Sequence, residues 1–305
     1  MKLTLPPFSR RRFLSVFAAY SGAVVLPGTT RPGSNRKTRL TCNSWPFRGY
    51  FDTPEMHRYR DARLPLLQQT DFPQFLADTF GIHAVEFLPQ HFSATTPTYV
   101  RAVREGVAKA RSRVVNLMGV EVPGGLYNPG MNWAEVGPHV TRWLDIAVAL
   151  ECPTVTFALG GHLPVDPAVA VKNLRPVVAA ARKRQLQVLF HNDDIRRESA
   201  PQLRAIIHGL DGHAGTCLDF GNFAPRSAAY ALETVRLLVP FCHHICHAKD
   251  GIGENGQFHA DDFQASMQVM RHAGFRGFYS LEYEGTGSDA VAGVRQLLEK
   301  TLAEL

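Results

Sequence analysis

Eight short runs of apolar and β-branched residues recur along the chain after residue 39. They begin roughly 30 to 44 residues apart, the length of one strand, one helix and two loops. Eight such units in regular succession predict a closed (β/α)8 barrel, the TIM-barrel architecture of the α/β class, rather than a doubly wound open sheet. The predicted strands are Leu40–Trp45, Ala84–Leu88, Val114–Val120, Thr154–Leu159, Leu186–His191, Gly215–Phe220, His244–Lys249 and Phe278–Tyr283.

Segments with apolar residues at three- and four-residue steps follow seven of these strands, as helices of a barrel should. Two connections after strands are long, residues 46–71 and residues 121–132. Because both follow strands, both are expected over the C-terminal face of the barrel, where active-site loops lie. The predicted helices are Thr98–Arg111, Trp133–Leu150, Pro167–Arg184, Ala200–Leu210, Ala228–Val239, Asp261–Ala273 and Ser288–Leu302.

The N-terminal residues have the parts of an export leader. The stretch Ser9–Leu14 reads S-R-R-R-F-L and precedes an apolar run, Val16–Leu26, that is too short for a stable membrane span. It is similar to the twin-arginine signal of bacteria, which implies export to the periplasm in a folded state. We therefore expect a signal and linker over residues 1–38, a barrel over residues 39–305, and no membrane span in the mature protein. No clear cleavage motif is visible, so retention of the leader as an anchor stays open.

The formal net charge of +6 does not indicate a nucleic-acid partner. Residues 1–39 hold eight Lys and Arg side chains and no Asp or Glu, whereas the rest of the chain has 25 basic and 27 acidic residues. The folded part therefore lacks the basic surface that phosphate backbones require. The five cysteines include no CxxC pair, and a chain of this size predicts buried thiols rather than a disulfide framework.

The last four predicted strands end in imidazoles or carboxylates. Side chains alternate along a strand, so one polar residue near each strand end can point into the mouth of the barrel. Two imidazoles and two carboxylates suit Mn, Zn, Co, Fe or Mg as a divalent cofactor, and gathered charges of one sign require a cation. The four candidate metal ligands are His191, Asp219, His247 and Glu282.

The motifs Leu218–Asn222, His247–Asp250 and Leu281–Glu284 resemble those of the xylose-isomerase-like sugar phosphate isomerase/epimerase superfamily. The resemblance covers most of residues 40–300. It implies a metal held by a Glu after strand five, an Asp after strand six, a His on strand seven and a Glu on strand eight. The last three correspond to Asp219, His247 and Glu282. The first does not, because His191 stands where the family has a glutamate that also transfers protons.

Removal of a proton beside a carbonyl is the chemistry that this ligand set favours. Glu282 is predicted as the base, and His191, if not bound to metal, as the second proton-transferring group, with Asp193 as another candidate. Lys249 lies two residues beyond His247, so it can reach a substrate oxygen and is a catalytic and substrate-binding candidate. Three further substrate-binding candidates near strand ends are Glu86, His162 and Asn222.

Four functions remain open on this basis. The first is a metal-dependent sugar isomerase or epimerase that works through an enediolate and takes a small carbohydrate. The second is a lyase or hydrolase acting on 3-keto-glycosides, and the third is a non-catalytic sugar-binding barrel. An endonuclease IV-like nuclease is disfavoured by the charge balance. The sequence is compatible with a homo-oligomer but does not predict one.

Overall fold

The computed structural model describes residues 36–122, 124–125, 130–158, 166–192, 199–222, 228–250, 260–285 and 289–305. The side chains of residues 199, 228–230, 250 and 260–262 are not described. Predictions for the leader up to residue 35, for His162 and for Asp193 therefore lie outside the described residues.

Eight parallel strands form a closed barrel in which each strand pairs with the next and the eighth pairs with the first. The predicted (β/α)8 barrel is confirmed, and every strand lies within two residues of its predicted bounds. One detail of the first strand is wrong, because Trp45 begins a 3₁₀ turn. The strands are β1 Leu40–Asn43, β2 Ala84–Phe87, β3 Arg113–Val120, β4 Thr154–Phe157, β5 Gln187–His191, β6 Ala214–Asp219, β7 Ile245–Asp250 and β8 Phe278–Tyr283.

One helix follows each strand in the described part of the chain. Three begin at side-chain caps: Thr96 accepts from Tyr99 N at 3.4 Å, Asn132 from Ala134 N at 3.0 Å, and Asp166 from Ala168 N at 2.9 Å. The helices are α1 Phe72–Phe80, α2 Pro97–Lys109, α3 Trp133–Ala149, α4 Pro167–Arg182, α5 Ser199–Gly209, α6 Ala228–Leu238, α7 Ala260–His272 and α8 Ala290–Glu304. None of them is both long and apolar enough to cross a membrane.

Helix α1 was not predicted, because it has only nine residues and depends on aromatic packing. Phe47, in the turn after β1, lies 5.0 Å from the ring of Phe75 and 5.9 Å from the ring of Phe72. Gly81 ends the helix with φ +64, a left-handed conformation that glycine adopts without strain. This packing joins the turn after β1 to α1, at the two ends of the long connection between β1 and β2.

The inside of the barrel changes from apolar to polar along its axis. At the N-terminal end a small apolar cluster closes the interior; it consists of Ala84, Val115, Leu189, Cys217 and Ile245, with Phe278 packed against it. Toward the C-terminal end the inward positions carry polar side chains that are almost completely buried, among them Asn116, His247 and Glu282. Buried polar groups need partners, so this half of the barrel is where a functional site can lie.

Candidate metal centre

Four adjacent strands bring the predicted ligands together at the C-terminal mouth. His191 ends β5, Asp219 ends β6, and His247 and Glu282 lie within β7 and β8. In the sheet Asp219 is level with His247, and Lys249 is level with Glu282. None of the four ligand candidates exposes more than 4% of its surface. The strand register therefore gathers these side chains in a space that excludes bulk water.

The donor atoms of the four side chains converge within a few ångströms. Asp219 Oδ2 lies 3.4 Å from His191 Nε2 and 3.4 Å from His247 Nδ1. Glu282 Oε2 lies 3.1 Å from His247 Nδ1, and the rings of the two histidines are 5.0 Å apart. The nitrogen and oxygen atoms of His191, Asp219 and His247 are mutually close enough to share one ion.

Unpartnered nitrogen atoms indicate what this cluster can hold. Both ring nitrogens of His191 and Nδ1 of His247 are buried without an aligned hydrogen bond. A buried polar atom without a partner is costly, and imidazole nitrogens beside carboxylate oxygens are a donor set for a divalent cation. The residues present therefore fit a metal ion held by His191, Asp219, His247 and Glu282.

Lys249 is the main positive group facing the cluster, and carboxylates surround it. Its Nζ lies 2.7 Å from Glu282 Oε1 and 3.5 Å from Asp219 Oδ2, and it also pairs with Glu284. It donates to Asn222 Oδ1 at 2.7 Å. One ammonium cannot balance three carboxylates, so the described site keeps an excess of negative charge that a divalent cation would neutralise.

Charge interactions at the site shift several pKa values. Burial alone would raise the pKa of Asp219, but Lys249 and the neighbouring histidines outweigh it and hold that pKa well below its usual range. Burial opposes the shift at Glu282 too, yet Lys249 and His247 lower its pKa. Burial would lower the pKa of Lys249, whereas Asp219 and the two glutamates raise it well above its usual value. Both ligand carboxylates are therefore ionised and Lys249 is a cation at neutral pH.

Two amide side chains that were not predicted support the carboxylate ligands. Asn192 donates to the backbone oxygen of Asp219 at 2.9 Å and accepts from its backbone nitrogen at 2.6 Å. Asn43, at the end of β1, donates to Glu282 Oε2. Both residues directly follow or end a strand, and that position was the signal available in the sequence. Their role was missed because neither amide resembles a metal ligand or an acid-base group.

Glu86, which was predicted to bind substrate, lies deeper in the barrel than the residues that line the cavity. It is completely buried on β2, accepts from Asn116 Nδ2 at 2.6 Å and from Ser280 Oγ at 2.5 Å, and lies 3.1 Å from His247 Nε2. Cys217 is also close to Glu86 and His247. Burial raises the pKa of Cys217 to about 11, so this thiol stays protonated at neutral pH when no metal is bound.

A cavity of about 220 Å³ opens above the cluster. His191, Asn222, Lys249 and Glu282 line it, whereas Glu86 does not. Its other walls combine apolar surfaces with hydrogen-bonding groups, as small-molecule sites do. Glu284, which also receives a hydrogen bond of 3.2 Å from Trp45 Nε1, was not predicted. The remaining lining residues are Trp45, Leu88, Gln90, Met118, Gly119, Glu121, Ala158 and Glu284.

The closed barrel defines a TIM-barrel protein, and the imidazole–carboxylate cluster at its C-terminal mouth is a candidate metal site. The chain belongs to the xylose isomerase-like TIM barrel family, whose model matches residues 74–303. Comparison with curated protein sequences returned no match.

Solved structures with the same fold include proteins of different activities. A D-tagatose 3-epimerase-like protein is 14% identical with a TM-score of 0.61, over 87% of this chain and 97% of that one. The probable 3-DHS dehydratase AsbF from Bacillus anthracis is 13% identical with a TM-score of 0.61, over 86% and 97%. The IOLI protein, crystallised with a zinc atom, is 12% identical with a TM-score of 0.59, over 87% and 96%. At these identities the likeness establishes the fold alone.

Proposed function

We propose that the protein is a metal-dependent sugar isomerase or epimerase that removes a proton next to the carbonyl of a small carbohydrate. The observation that carries this proposal is the convergence of His191, Asp219 and His247, with Glu282 Oε2 3.1 Å from His247 Nδ1. Three of the histidine ring nitrogens in this cluster are buried without an aligned hydrogen bond. The cavity above them has hydrogen-bonding walls and an apolar side formed by residues such as Trp45 and Leu88, which suits a hydroxyl-rich ring or chain. Family membership supports the same class of chemistry.

The chain's own groups supply the proton transfer. A bound divalent cation would supply Lewis-acid stabilisation of the negative oxygen that develops when the proton leaves. Glu282 is anionic at neutral pH and lines the cavity, so its carboxylate can accept the proton and leave an enediolate. Lys249, 2.7 Å from Glu282, orients that carboxylate and places positive charge beside the developing oxyanion.

His191 is the group available to return the proton on another side of the substrate carbon. It lines the cavity and has two ring nitrogens without hydrogen-bond partners. One nitrogen can face the metal while the other serves the substrate, because the two ring nitrogens point in different directions. In this proposal His191 replaces the second glutamate of the family pattern, so proton return depends on an imidazole rather than a carboxylate.

A second candidate follows from that replacement. A lyase acting on a 3-keto-glycoside needs one base to remove the α-proton, after which the electron pair expels the aglycone, and the departing oxygen takes up a proton. Glu282 suffices for the first step and His191 can donate the last proton. The presence of His191 in place of the second glutamate is the observation that favours this alternative.

Metal analysis and solvent exchange test the proposal. We expect about one divalent ion per chain in the purified protein and less than a tenth of that in His247→Ala, whereas the surface control Glu299→Gln keeps its metal. Candidate ketoses incubated in D₂O should lose a C–H signal in proton NMR without losing carbon skeleton. Release of an aglycone from keto-glycosides without exchange of ketoses would favour the lyase. Wild-type protein that binds no metal and gives neither reaction would leave only a sugar-binding barrel.

We also propose that the protein is exported through the twin-arginine pathway, on the strength of the Ser9–Leu14 motif. Replacing both Arg10 and Arg11 with lysine should retain the protein in the cytoplasm, while the matched change Arg12→Lys should not. Fractionation of a bacterial host measures the outcome. Equal periplasmic amounts for all three proteins would refute this route.

A further inference from the structure

The two ring nitrogens of His247 face different surroundings. Nδ1 points toward Asp219 Oδ2 at 3.4 Å and Glu282 Oε2 at 3.1 Å. Nε2 points the opposite way, toward Glu86, at 3.2 Å from Oε1 and 3.1 Å from Oε2. The strand β7 thus presents His247 between the mouth of the barrel and a carboxylate on β2, across the interior.

The partners of Glu86 fix its orientation. Oε1 accepts from Asn116 Nδ2 at 2.6 Å, and Oε2 accepts from Ser280 Oγ at 2.5 Å. The amide nitrogen of Asn116 can only donate, and it also donates to Thr156 Oγ1 at 2.8 Å. With two donors in place and no exposed surface, Glu86 offers acceptor oxygens to His247 and leaves no oxygen for a ligand in the cavity.

An acceptor on this side determines where the imidazole proton lies. Both ring nitrogens of His247 face carboxylates, but only Nδ1 also faces the other candidate ligands, so a cation there would displace the proton on Nδ1 and not the proton on Nε2. With a cation bound, Nε2 would therefore hold the remaining proton against Glu86, and Nδ1 would present its lone pair to the same space as Asp219 and Glu282. Metal-binding histidines are commonly oriented in this way by a carboxylate on the other nitrogen.

We propose that Glu86 is a positioning residue that keeps the proton of His247 on Nε2 and so presents Nδ1 to a divalent cation at the mouth of the barrel. The metal-loading half of this inference rests on the proposed function. The pairing of Glu86 with His247 is a property of the chain that can be measured without metal. Glu86 touches neither the metal position nor the cavity, so its effect passes through His247.

Two substitutions of Glu86 separate positioning from loss of charge. Glu86→Gln retains the shape but places an amide NH₂ where an acceptor stood, and Glu86→Ala removes the partner altogether. Ser280→Ala is the matched interior control, because it removes one donor to Glu86 and leaves the carboxylate against His247. Glu299→Gln is the surface control for loss of one negative charge. Circular dichroism first establishes which variants are folded. If Glu86→Ala does not fold, Glu86→Gln alone tests the inference.

The first measurement is Zn²⁺ and Co²⁺ affinity by calorimetry. We expect affinity to fall about 10- to 100-fold in Glu86→Gln and further in Glu86→Ala, with less than threefold change in Ser280→Ala and Glu299→Gln. The second is ¹⁵N-edited NMR of the histidine rings. Wild-type and Ser280→Ala proteins should show a slowly exchanging Nε2 proton on His247 with and without metal, and that proton should exchange rapidly in Glu86→Ala.

Wild-type metal affinity in folded Glu86→Gln and Glu86→Ala would overturn the inference, as would a wild-type protein without a protected Nε2 proton. A wild-type protein that shows this proton but binds no metal would overturn the proposed function and still support the Glu86–His247 pairing. The two failures are therefore distinguishable.

Discussion

Lys249 Nζ lies 2.7 Å from Glu282 Oε1, on neighbouring strands at the level where the barrel interior becomes polar. The lysine is almost completely buried, as is the glutamate. This contact joins the group that we propose as the base to the cation that balances it. Because the pair is buried, loss of either side chain would leave the other as an unpaired buried charge, so their contributions to stability are coupled.

Replacing Lys249 with methionine should destabilise the protein because three carboxylates would lose their shared cation. Breaking a buried ion pair costs about 3–5 kcal/mol of unfolding free energy. Urea unfolding in the presence of a chelator measures this loss, and added divalent metal should recover part of it. The exposed control Lys109→Met should change stability by less than about 0.5 kcal/mol. A cost under 1 kcal/mol for Lys249→Met would contradict the arrangement.

Asn192 should control metal binding without being a ligand, because it fixes the backbone on both sides of Asp219. We expect Asn192→Ala to lower metal affinity about 10-fold or more, as loss of groups that orient ligands does. The control Asn132→Ala removes the cap of α3; it should cost about 1 kcal/mol of stability and leave affinity unchanged. Calorimetry measures the metal affinity of both variants. An affinity of Asn192→Ala equal to that of the wild type would show that Asp219 needs no support from Asn192.

His91 should make the protein less stable in mild acid. Burial, and then the nearby Arg48, lower the pKa of His91 to about 3. Its ring stacks on Phe51 at 4.2 Å and bonds to Ser44 Oγ at 2.7 Å. The unfolded chain takes up a proton near pH 6.5 and the folded chain does not, so the contribution is complete above that pH and is lost progressively as pH falls toward 3.

The loss from His91 approaches about 1.4 kcal/mol per pH unit below pH 6.5. His91→Gln should therefore lose less stability than wild type between pH 7 and pH 5 in chelator-containing buffer. His57→Gln, at an exposed histidine, should follow the wild-type curve. Parallel curves for wild type and His91→Gln would show that this ring is accessible to protons in the folded protein.

All five cysteines should resist alkylation in the native protein. Each is a free, buried thiol, and burial raises the pKa of Cys152 to about 12, which leaves almost no reactive thiolate at pH 8. We expect fewer than one rapidly reacting thiol per chain under native conditions and five in denaturant, counted by mass spectrometry. Rapid native modification of Cys217, which lies beside His247, would indicate that the interior opens.

The sequence predicted the elements whose residues follow a simple period, and it missed those that depend on contacts. The β-branched runs at β3 and β4 are local signals, so both strands were predictable from the sequence. Helix α1 was not, because Phe72 and Phe75 are held by Phe47 from a distant turn. The same limit applies at the site: polar strand ends marked Asp219 and His247, but the residues that hold them, such as Asn192, follow from barrel geometry.

Glu86 illustrates most directly the difference between local sequence signals and contacts that the closed barrel creates. The sequence placed it correctly on β2 and suggested a substrate contact, since a carboxylate near a strand end can reach the mouth. Whether it points into the cavity or deeper into the barrel depends on the tilt and stagger of strands that the sequence does not encode locally. Its partners Asn116 and Ser280 come from β3 and β8, and only the closed barrel brings them together.

The contacts across the barrel have a consequence for how the protein reaches its working state. Asn43 on β1 reaches Glu282 on β8, and Glu86 on β2 reaches His247 on β7. These pairs join the first and last thirds of the chain, so they form when the barrel closes. A ribosome-bound or truncated chain that lacks β8 would lack Glu282, so the proposed metal site would be incomplete. Metal would then bind late in folding and stabilise a barrel that has already closed.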